Sequence, residues 1–103
     1  MILTVKDKYK SVLQGKITLP KYNENGKEIN ELGIGFLSGN KNITHIYFVN
    51  DPQGFPNFRR IEKDSFKNCE NLETIINLPP SITYIGIDAF NKCLKFNIST
   101  LPS

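Results

Sequence analysis

Hydrophobic positions recur along this chain at a long interval, and the polar positions between them recur too. Segments 31–46 (ELGIGFLSGNKNITHI), 60–75 (RIEKDSFKNCENLETI) and 84–99 (YIGIDAFNKCLKFNIS) align without a gap, at steps of 29 and 24 residues. Such steps are typical of solenoid repeats. Five columns match: Leu32, Ile61 and Ile85; Leu37, Phe66 and Phe90; Asn40, Cys69 and Cys93; Ile43, Leu72 and Phe96; and Ile46, Ile75 and Ser99. The pattern predicts repeats that stack around one shared interior.

Each unit is predicted to contain a strand, a short second strand and one helical turn. Residues 73–78 (ETIINL) are rich in residues that favour strands, and they are followed by Pro79 and Pro80, which cannot continue a ladder. Ile82, Tyr84 and the nearby Ile85 are predicted to form the short second strand of the last unit. Asp64 and Asp88 are placed where a carboxylate can accept the free N–H groups at the start of a helical turn.

Two stretches resemble a known family. Residues 78–86 (LPPSITYIG) and 88–93 (DAFNKC) are similar to the BspA-like leucine-rich repeat, with its pattern L-P-x-S-V-x-x-I-G-x-x-A-F-x-x-C-x-x-L-x-x-I. The resemblance covers 29–103 well and 16–28 loosely. The first copy departs from it with Phe36-Leu37 and Asn40 at the Ala-Phe and Cys positions, and the second has Glu62 where the others have glycine.

The predicted fold class is therefore an α+β repeat, a short leucine-rich-repeat solenoid of about three to four rungs. Residues 1–28 are expected to form an N-terminal basic cap or hairpin, because Asn25-Gly26 is a strong hairpin turn signal. The repeats occupy 29–103, with units near 29–46, 58–75 and 82–103.

The cysteines should lie one rung apart in the core. Cys69 and Cys93 occupy the same column, and buried free cysteine behaves as a small hydrophobe. Free thiols are favoured, and a disulfide at rung spacing stays open as the alternative.

Lysines are concentrated at the start of the chain. Residues 1–27 contain Lys6, Lys8, Lys10, Lys16, Lys21 and Lys27 against Asp7 and Glu24, a local balance of +4, whereas the rest of the chain balances at −1. Such an arm could contact phosphate or an acidic partner, but a solvated segment is the favoured interpretation, and nucleic acid is a disfavoured partner. No apolar run is long enough to span a membrane. The apolar stretch at the start of the sequence is too short for the core of a signal peptide.

The residues offer little for catalysis. His45 is the single histidine, with no cysteine or carboxylate near it in sequence. No phosphate loop, nucleophile elbow or metal-ligand spacing occurs. The chain is therefore predicted not to be an enzyme, and no catalytic residue, cofactor or metal ligand is assigned.

A binding surface is predicted instead, on the outward residues of the aligned strands. Phe55, in the Pro- and Gly-containing insertion 50–58, is either an exposed anchor or folds back over the stack. The candidate protein-binding residues are Thr44, His45, Tyr47, Phe55, Glu73, Thr74, Ile76, Asn97, Ile98 and Thr100.

The function predicted is a protein-binding or adhesion module. The resemblance implies surface-exposed proteins that bind host or matrix proteins, and hence a cell or virion surface, although the sequence itself does not define the compartment. The alternative is a structural subunit or fragment of a larger surface or virion assembly. Phe90, Cys93 and Phe96 would face an open edge, so self-association through the C-terminal rung is expected in that case.

Overall fold

Two parallel sheets run side by side along the molecule. The computed structural model describes residues 2–4, 12–23 and 25–97. One sheet has the order β1-β3-β5-β7 and the other the order β2-β4-β6. The strands are β1 (Ile2–Leu3), β2 (Gly15–Leu19), β3 (Glu31–Leu32), β4 (Ile43–Phe48), β5 (Arg60–Ile61), β6 (Thr74–Ile76) and β7 (Tyr84–Ile85).

The chain passes from one sheet to the other and back, and each circuit is one rung. Rungs 1, 2, 3 and 4 comprise the described residues within 2–28, 31–58, 60–81 and 84–97. Glu31 pairs with Arg60, and Arg60 pairs with Tyr84, so positions aligned in the sequence are neighbours across strands. The predicted repeat solenoid is confirmed.

The first 28 residues contribute to both sheets. Strand β1 pairs with β3, and β2 pairs with β4. After β2, an antiparallel bridge joins Tyr22 to Glu28, and Gly26 in the turn between them has φ of 79°. The segment predicted as a cap or hairpin thus contributes one strand to each parallel sheet and contains a small antiparallel, hairpin-like bridge.

Turns occupy the positions where helical turns were predicted. Segments 34–39, 63–68 and 87–92 are turns, and the described ranges contain no helix. In the first segment, the N–H groups of Phe36, Ser38 and Asn40 each donate to the carbonyl three residues earlier at 3.1 Å. The intervening N–H groups of this rung bond to the next rung instead, so a helix cannot form.

Left-handed residues make this alternation possible, and they correct the predicted capping role. Asp64 and Asp88 have φ of 61° and 60°, the region that Asp and Asn tolerate better than most residues. The Oδ1 atom of Asp64 is buried and has no hydrogen-bond partner in the described structure. The aspartates therefore shape the turn through their backbone, and the Asp64 carboxylate does not cap a helix.

Aromatic rings fill the interior between rungs. The ring of Phe66 lies 6.0 Å from that of Phe36, edge to face, and stacks on that of Phe90 at 5.4 Å. The aliphatic columns are also buried: Leu32, Ile43, Ile46, Ile61 and Leu72 have no exposed surface. The recurrent columns of the sequence are thus the core of the solenoid.

The described residues include no helix of the length and apolar character that crossing a membrane requires.

Candidate binding surface

The outer face of β2-β4-β6 carries two rows of side chains that run across the strands. Along β4, Ile46 and Phe48 are buried whereas His45 and Tyr47 are half-exposed, which is the alternation of a sheet packed on one side. The strand pairing then aligns the outer residues. One row is Lys16, His45 and Thr74, and the other is Thr18, Tyr47 and Ile76.

The ring of Tyr47 lies at the centre of this face. The ammonium group of Lys16 is 4.2 Å from the ring centroid, close enough for a cation–π attraction. Ile76 is the strand neighbour of Tyr47 on the other side. The half-exposed ring thus has a cation above it and an isoleucine beside it on the next strand.

The same face continues beside the two rows. Nδ1 of His45 is 2.9 Å from Oγ1 of Thr44. The N–H of Glu73 donates to the Thr44 carbonyl at 2.8 Å, and the N–H of Asn97 donates to the Glu73 carbonyl at 2.9 Å. Strand pairing places His45, Tyr47, Thr74 and Ile76 on one surface, the sheet face. Thr44, Glu73 and Asn97 are joined to one another by these backbone bonds beside it. Ile98 and Thr100 lie outside the described residues.

Phe55 does not belong to this surface. Its side chain is only 6% exposed, and its ring packs edge to face against Phe48 at 5.4 Å and against Phe58 at 6.4 Å. Ser81 fixes the loop, because its hydroxyl lies within hydrogen-bond distance of the Phe55 and Phe58 carbonyls at 2.8 and 2.7 Å. The interpretation of Phe55 as an exposed anchor was wrong; it folds back and covers the stack.

Residues 36–103, well over half of the chain, match the family model described as "BspA type Leucine rich repeat region (6 copies)". The chain belongs to the BspA-type leucine-rich repeat family. No curated protein and no solved structure matches it.

The cysteine column of this leucine-rich repeat is bonded from rung to rung. Cys69 and Cys93 are free thiols. The Cys69 thiol donates to the Leu37 carbonyl at 3.1 Å, and the Cys93 thiol donates to the Phe66 carbonyl at 2.9 Å. Burial raises the pKa of Cys69 to about 12 and that of Cys93 to about 11. Both sulfurs are therefore protonated at neutral pH, which makes them poor nucleophiles and poor metal ligands.

Asn40 replaces cysteine in the second rung and makes more bonds than a thiol could. Its Oδ1 accepts the N–H groups of Asn42 and Ile43 at 2.7 and 2.9 Å. Its Nδ2 donates to the Leu13 carbonyl at 2.9 Å. The amide thereby joins rung 2 of the leucine-rich repeat to the segment before β2. Asparagine in place of the family's cysteine thus has a structural role here.

Only part of the predicted basic arm lies within the described residues. Lys6, Lys8 and Lys10 lie outside the described residues. Lys21 is buried, and its Nζ pairs with the Asp51 carboxylate at 3.3 Å. The N–H of Gln53, and secondarily this ammonium, lower the pKa of Asp51. Lys21 therefore already has an anionic partner.

The second face of the leucine-rich repeat, on β3-β5-β7, carries a polar ladder that sequence reasoning missed. The Arg60 guanidinium lies 4.0 Å from the Tyr84 ring centroid and donates to Oε2 of Glu62 at 2.7 Å. A hydrogen bond with Glu62 is the main cause that raises the pKa of Glu31, whereas the bond with Arg60 is the main cause that lowers the pKa of Glu62. The signal for this ladder was the first column of the repeat alignment, where Glu31, Arg60 and Tyr84 coincide.

A shallow cleft of about 280 Å³ lies between the insertion and the loop after β6, with Val49, Phe55 and Leu78 among its walls. The Asp51 carboxylate at this cleft is bonded to Gln53 and Lys21. In the part of the chain that the structure describes, no group of three or more His, Cys, Asp or Glu side chains could hold a metal ion.

Proposed function

We propose that this BspA-type leucine-rich repeat is a non-enzymatic binding module that contacts another protein through the sheet face. Domains of this family are commonly protein-interaction or surface modules. Adhesion to a host or matrix protein is the specific role that fits the family. The partner would lie across the two rows of β2, β4 and β6.

The arrangement of Tyr47 carries the proposal. Protein interfaces are enriched in aromatic residues that form their central anchors, surrounded by contacts of lower energy. Tyr47 has this arrangement, because Lys16 and Ile76 flank it in fixed register. The half-exposed ring needs no rearrangement before contact, so binding would cost little ordering entropy.

Paired substitutions test the sheet face. We expect Tyr47→Asp and Ile76→Asp to reduce capture of a partner by about tenfold or more, because each places a charge at the centre of the contact. Ile34→Asp and Ile87→Asp are matched controls, since these isoleucines are 70% and 69% exposed but lie in the turns. Capture from a host or matrix extract, with folding checked by circular dichroism, gives the measurement. Equal capture by both pairs would contradict the proposal.

A structural subunit of a surface or virion assembly is the second candidate. Apolar residues at rung 4 favour it: Leu94 is 75% exposed, and Phe90, Cys93 and Phe96 are only half-buried. Light scattering at two protein concentrations should then show a mass that rises with concentration. A constant monomer mass throughout would count against this candidate.

A further inference from the structure

The insertion at 50–58 forms one wall of the shallow cleft beside the end of β6, which is named the insertion cleft. Within the insertion, the N–H of Gln53 donates to the Asp51 carboxylate at 2.8 Å. The Ser81 hydroxyl lies within hydrogen-bond distance of the Phe55 carbonyl at 2.8 Å, so the loop is also attached to the chain that follows β6. The cleft is therefore formed before anything binds in it, which lowers the entropic cost of binding.

The size and the walls of the insertion cleft suit one apolar side chain of a partner. Its volume is about 280 Å³, whereas pockets that enclose a whole small-molecule ligand usually measure about 300–1,000 Å³. Val49, Phe55, Leu78 and Pro79 supply apolar walls, with the polar Asp51 among them. A free ligand in so shallow a space would leave much of its surface in water, but a side chain that belongs to a larger contact would not.

The insertion cleft continues the outer face of β4. The N–H of Val49 donates to the Leu19 carbonyl at 3.1 Å, so the pairing of β2 with β4 extends one residue beyond β4. Alternation therefore places the half-exposed Val49 side chain on the same side as Tyr47. Since Val49 also lines the cleft, the sheet face and the insertion cleft form one continuous surface, named the binding strip.

The contacts along the binding strip are evenly spaced. On β4 and its extension, they lie at His45, Tyr47 and Val49, which are two residues apart and hence separated by about 6.6 Å. A partner segment in extended conformation presents alternate side chains to one side at the same spacing. Side chains of a helix follow a period of 3.6 residues and do not match it as well. The spacing therefore favours an extended segment.

The first contact of the binding strip is basic, and the other two are apolar. Lys16 is the strand neighbour of His45, and its ammonium group is positioned over the Tyr47 ring at 4.2 Å. Among the described residues, no carboxylate forms an ion pair with Lys16, and this includes the nearby Glu73. The ammonium group thus favours an acidic side chain of the partner. The second contact, Tyr47 with Ile76, and the third, the cleft, favour apolar side chains.

We propose that the binding strip binds an extended acidic segment of a partner protein through three alternate side chains. An aspartate or glutamate contacts Lys16, an apolar side chain covers Tyr47, and a second apolar side chain enters the insertion cleft. The partner sequence is thus acidic-x-apolar-x-apolar, read in one of the two chain directions. This inference rests on the proposed function, because it uses the sheet face, and it adds the chemistry of the partner.

Synthetic peptides test the spacing. The probes are acetyl-Glu-Ser-Leu-Ser-Leu-amide and the peptide of reversed sequence, titrated into the isotope-labelled chain and followed by NMR. One of the two should shift the amide signals of His45, Tyr47 and Val49. It should bind about fivefold more tightly, or better, than the control acetyl-Glu-Leu-Ser-Leu-Ser-amide or its reverse. The control has the same composition, but in an extended chain its leucines face away from the glutamate.

A charge comparison tests the contact with Lys16. We replace the glutamate of the better peptide by glutamine and measure both peptides on the wild type and on Lys16→Gln. The wild type should prefer the glutamate peptide by about threefold or more at low salt, and Lys16→Gln should bind the two peptides equally. Lys63→Gln is the matched control, because Lys63 is an exposed lysine in a turn, and it should keep the preference of the wild type.

Val49→Phe tests the insertion cleft by filling it. In the peptide, the leucine farther from the glutamate is replaced by alanine. This should weaken binding to the wild type by about threefold or more, but it should have little effect on binding to Val49→Phe. Ile87→Phe is the matched control, because Ile87 is 69% exposed in a turn, and it should behave like the wild type. Circular dichroism checks that each variant is folded.

Several outcomes would overturn the inference. They are no binding of either peptide at millimolar concentration, equal binding of the control peptide, an unchanged preference for glutamate in Lys16→Gln, or an unchanged effect of alanine in a folded Val49→Phe. If one of these is found while Tyr47→Asp and Ile76→Asp still reduce capture of a partner, the sheet-face proposal stands and only the acidic segment is removed. If capture is also unchanged, both are removed.

Discussion

At the scale of single residues, Gly86 shows how close adjacent rungs lie. A Cβ at this position would be 2.3 Å from the backbone nitrogen of Lys63 and 2.7 Å from its Cα. Real Cβ contacts are not this short, and backbone atoms cannot move aside as a flexible side chain can. The equivalent Gly33 differs, because its Cβ would first meet Cγ2 of Thr4 at 2.8 Å, the end of a side chain.

Alanine substitutions at these two glycines should therefore differ. We expect Gly86→Ala to lower the free energy of unfolding by about 2 kcal/mol, because the rungs must separate locally. Gly33→Ala should cost less, since Thr4 can rotate and alanine reduces the entropy of the unfolded chain. Urea unfolding followed by circular dichroism measures both. An equal loss at the two positions would show that rung spacing is not the cause.

At the scale of elements, the turns and the cysteine column together hold one rung to the next. The thiol of Cys69 reaches the Leu37 carbonyl in the rung before it, and that of Cys93 reaches the Phe66 carbonyl. Each thiol thus adds to the backbone hydrogen bonds that join the turns of neighbouring rungs, at the point where the turn ends. The column favours a small donor because the site is buried and the acceptor is a backbone carbonyl.

The raised thiol pKa values predict a loss of stability at alkaline pH. The folded pKa of Cys69, about 12, lies above its ordinary value of 9.0, so the folded state favours the neutral thiol. The resulting stabilisation is fully present below pH 9.0 and is lost as the pH rises towards the folded pKa. Urea unfolding at about pH 8 and about pH 10.5 should show this decline.

Cys69→Ala provides the comparison for that decline. Other groups also titrate in this range. Only the difference between the wild type and the variant, in how the free energy of unfolding falls with pH, therefore belongs to the thiol. The expected contribution is at most about 1.4 kcal/mol per pH unit for one group. Cys93→Ala should remove a smaller part of the alkaline decline in stability than Cys69→Ala, because Cys93 is only half-buried. If Cys69→Ala and the wild type declined in parallel, the buried thiol would not be the cause.

At the scale of the whole molecule, stability depends on contacts between neighbouring rungs. Phe66 is fully buried between the rings of Phe36 and Phe90, whereas Phe90 is half-buried in the last described rung. In a stack, an interior rung supports two interfaces and a terminal rung supports one. Interior substitutions should therefore cost more than the same substitutions at the end.

Phe66→Ala and Phe90→Ala test this dependence. We expect Phe66→Ala to lower the free energy of unfolding by about 3–5 kcal/mol, because it opens a cavity in a closed core. Phe90→Ala should cost clearly less, since its surroundings can relax and its ring is already partly hydrated. Urea unfolding of both variants gives the comparison, and a larger loss for Phe90→Ala would contradict the order of the rungs.

The sequence by itself determined the repeat, the buried columns and much of the sheet face. Leu32, Ile61 and Ile85 recur because every rung buries the same positions against its neighbours, so periodicity alone reports the core. Alternation along β4 was enough to turn His45 and Tyr47 outward, because a strand packed on one side repeats every two residues.

Only the tertiary structure decided the features that depend on the adjacent rung. The turns at 63–68 are not helical because alternate N–H groups bond to rung 4, and such a choice of partner leaves no period in the sequence. Phe55 is buried because Phe48 and Phe58 lie beside it, and Arg60 stacks on Tyr84 through strand pairing. A pattern along one chain shows which positions repeat, but the partner of each group is set by what folding brings next to it.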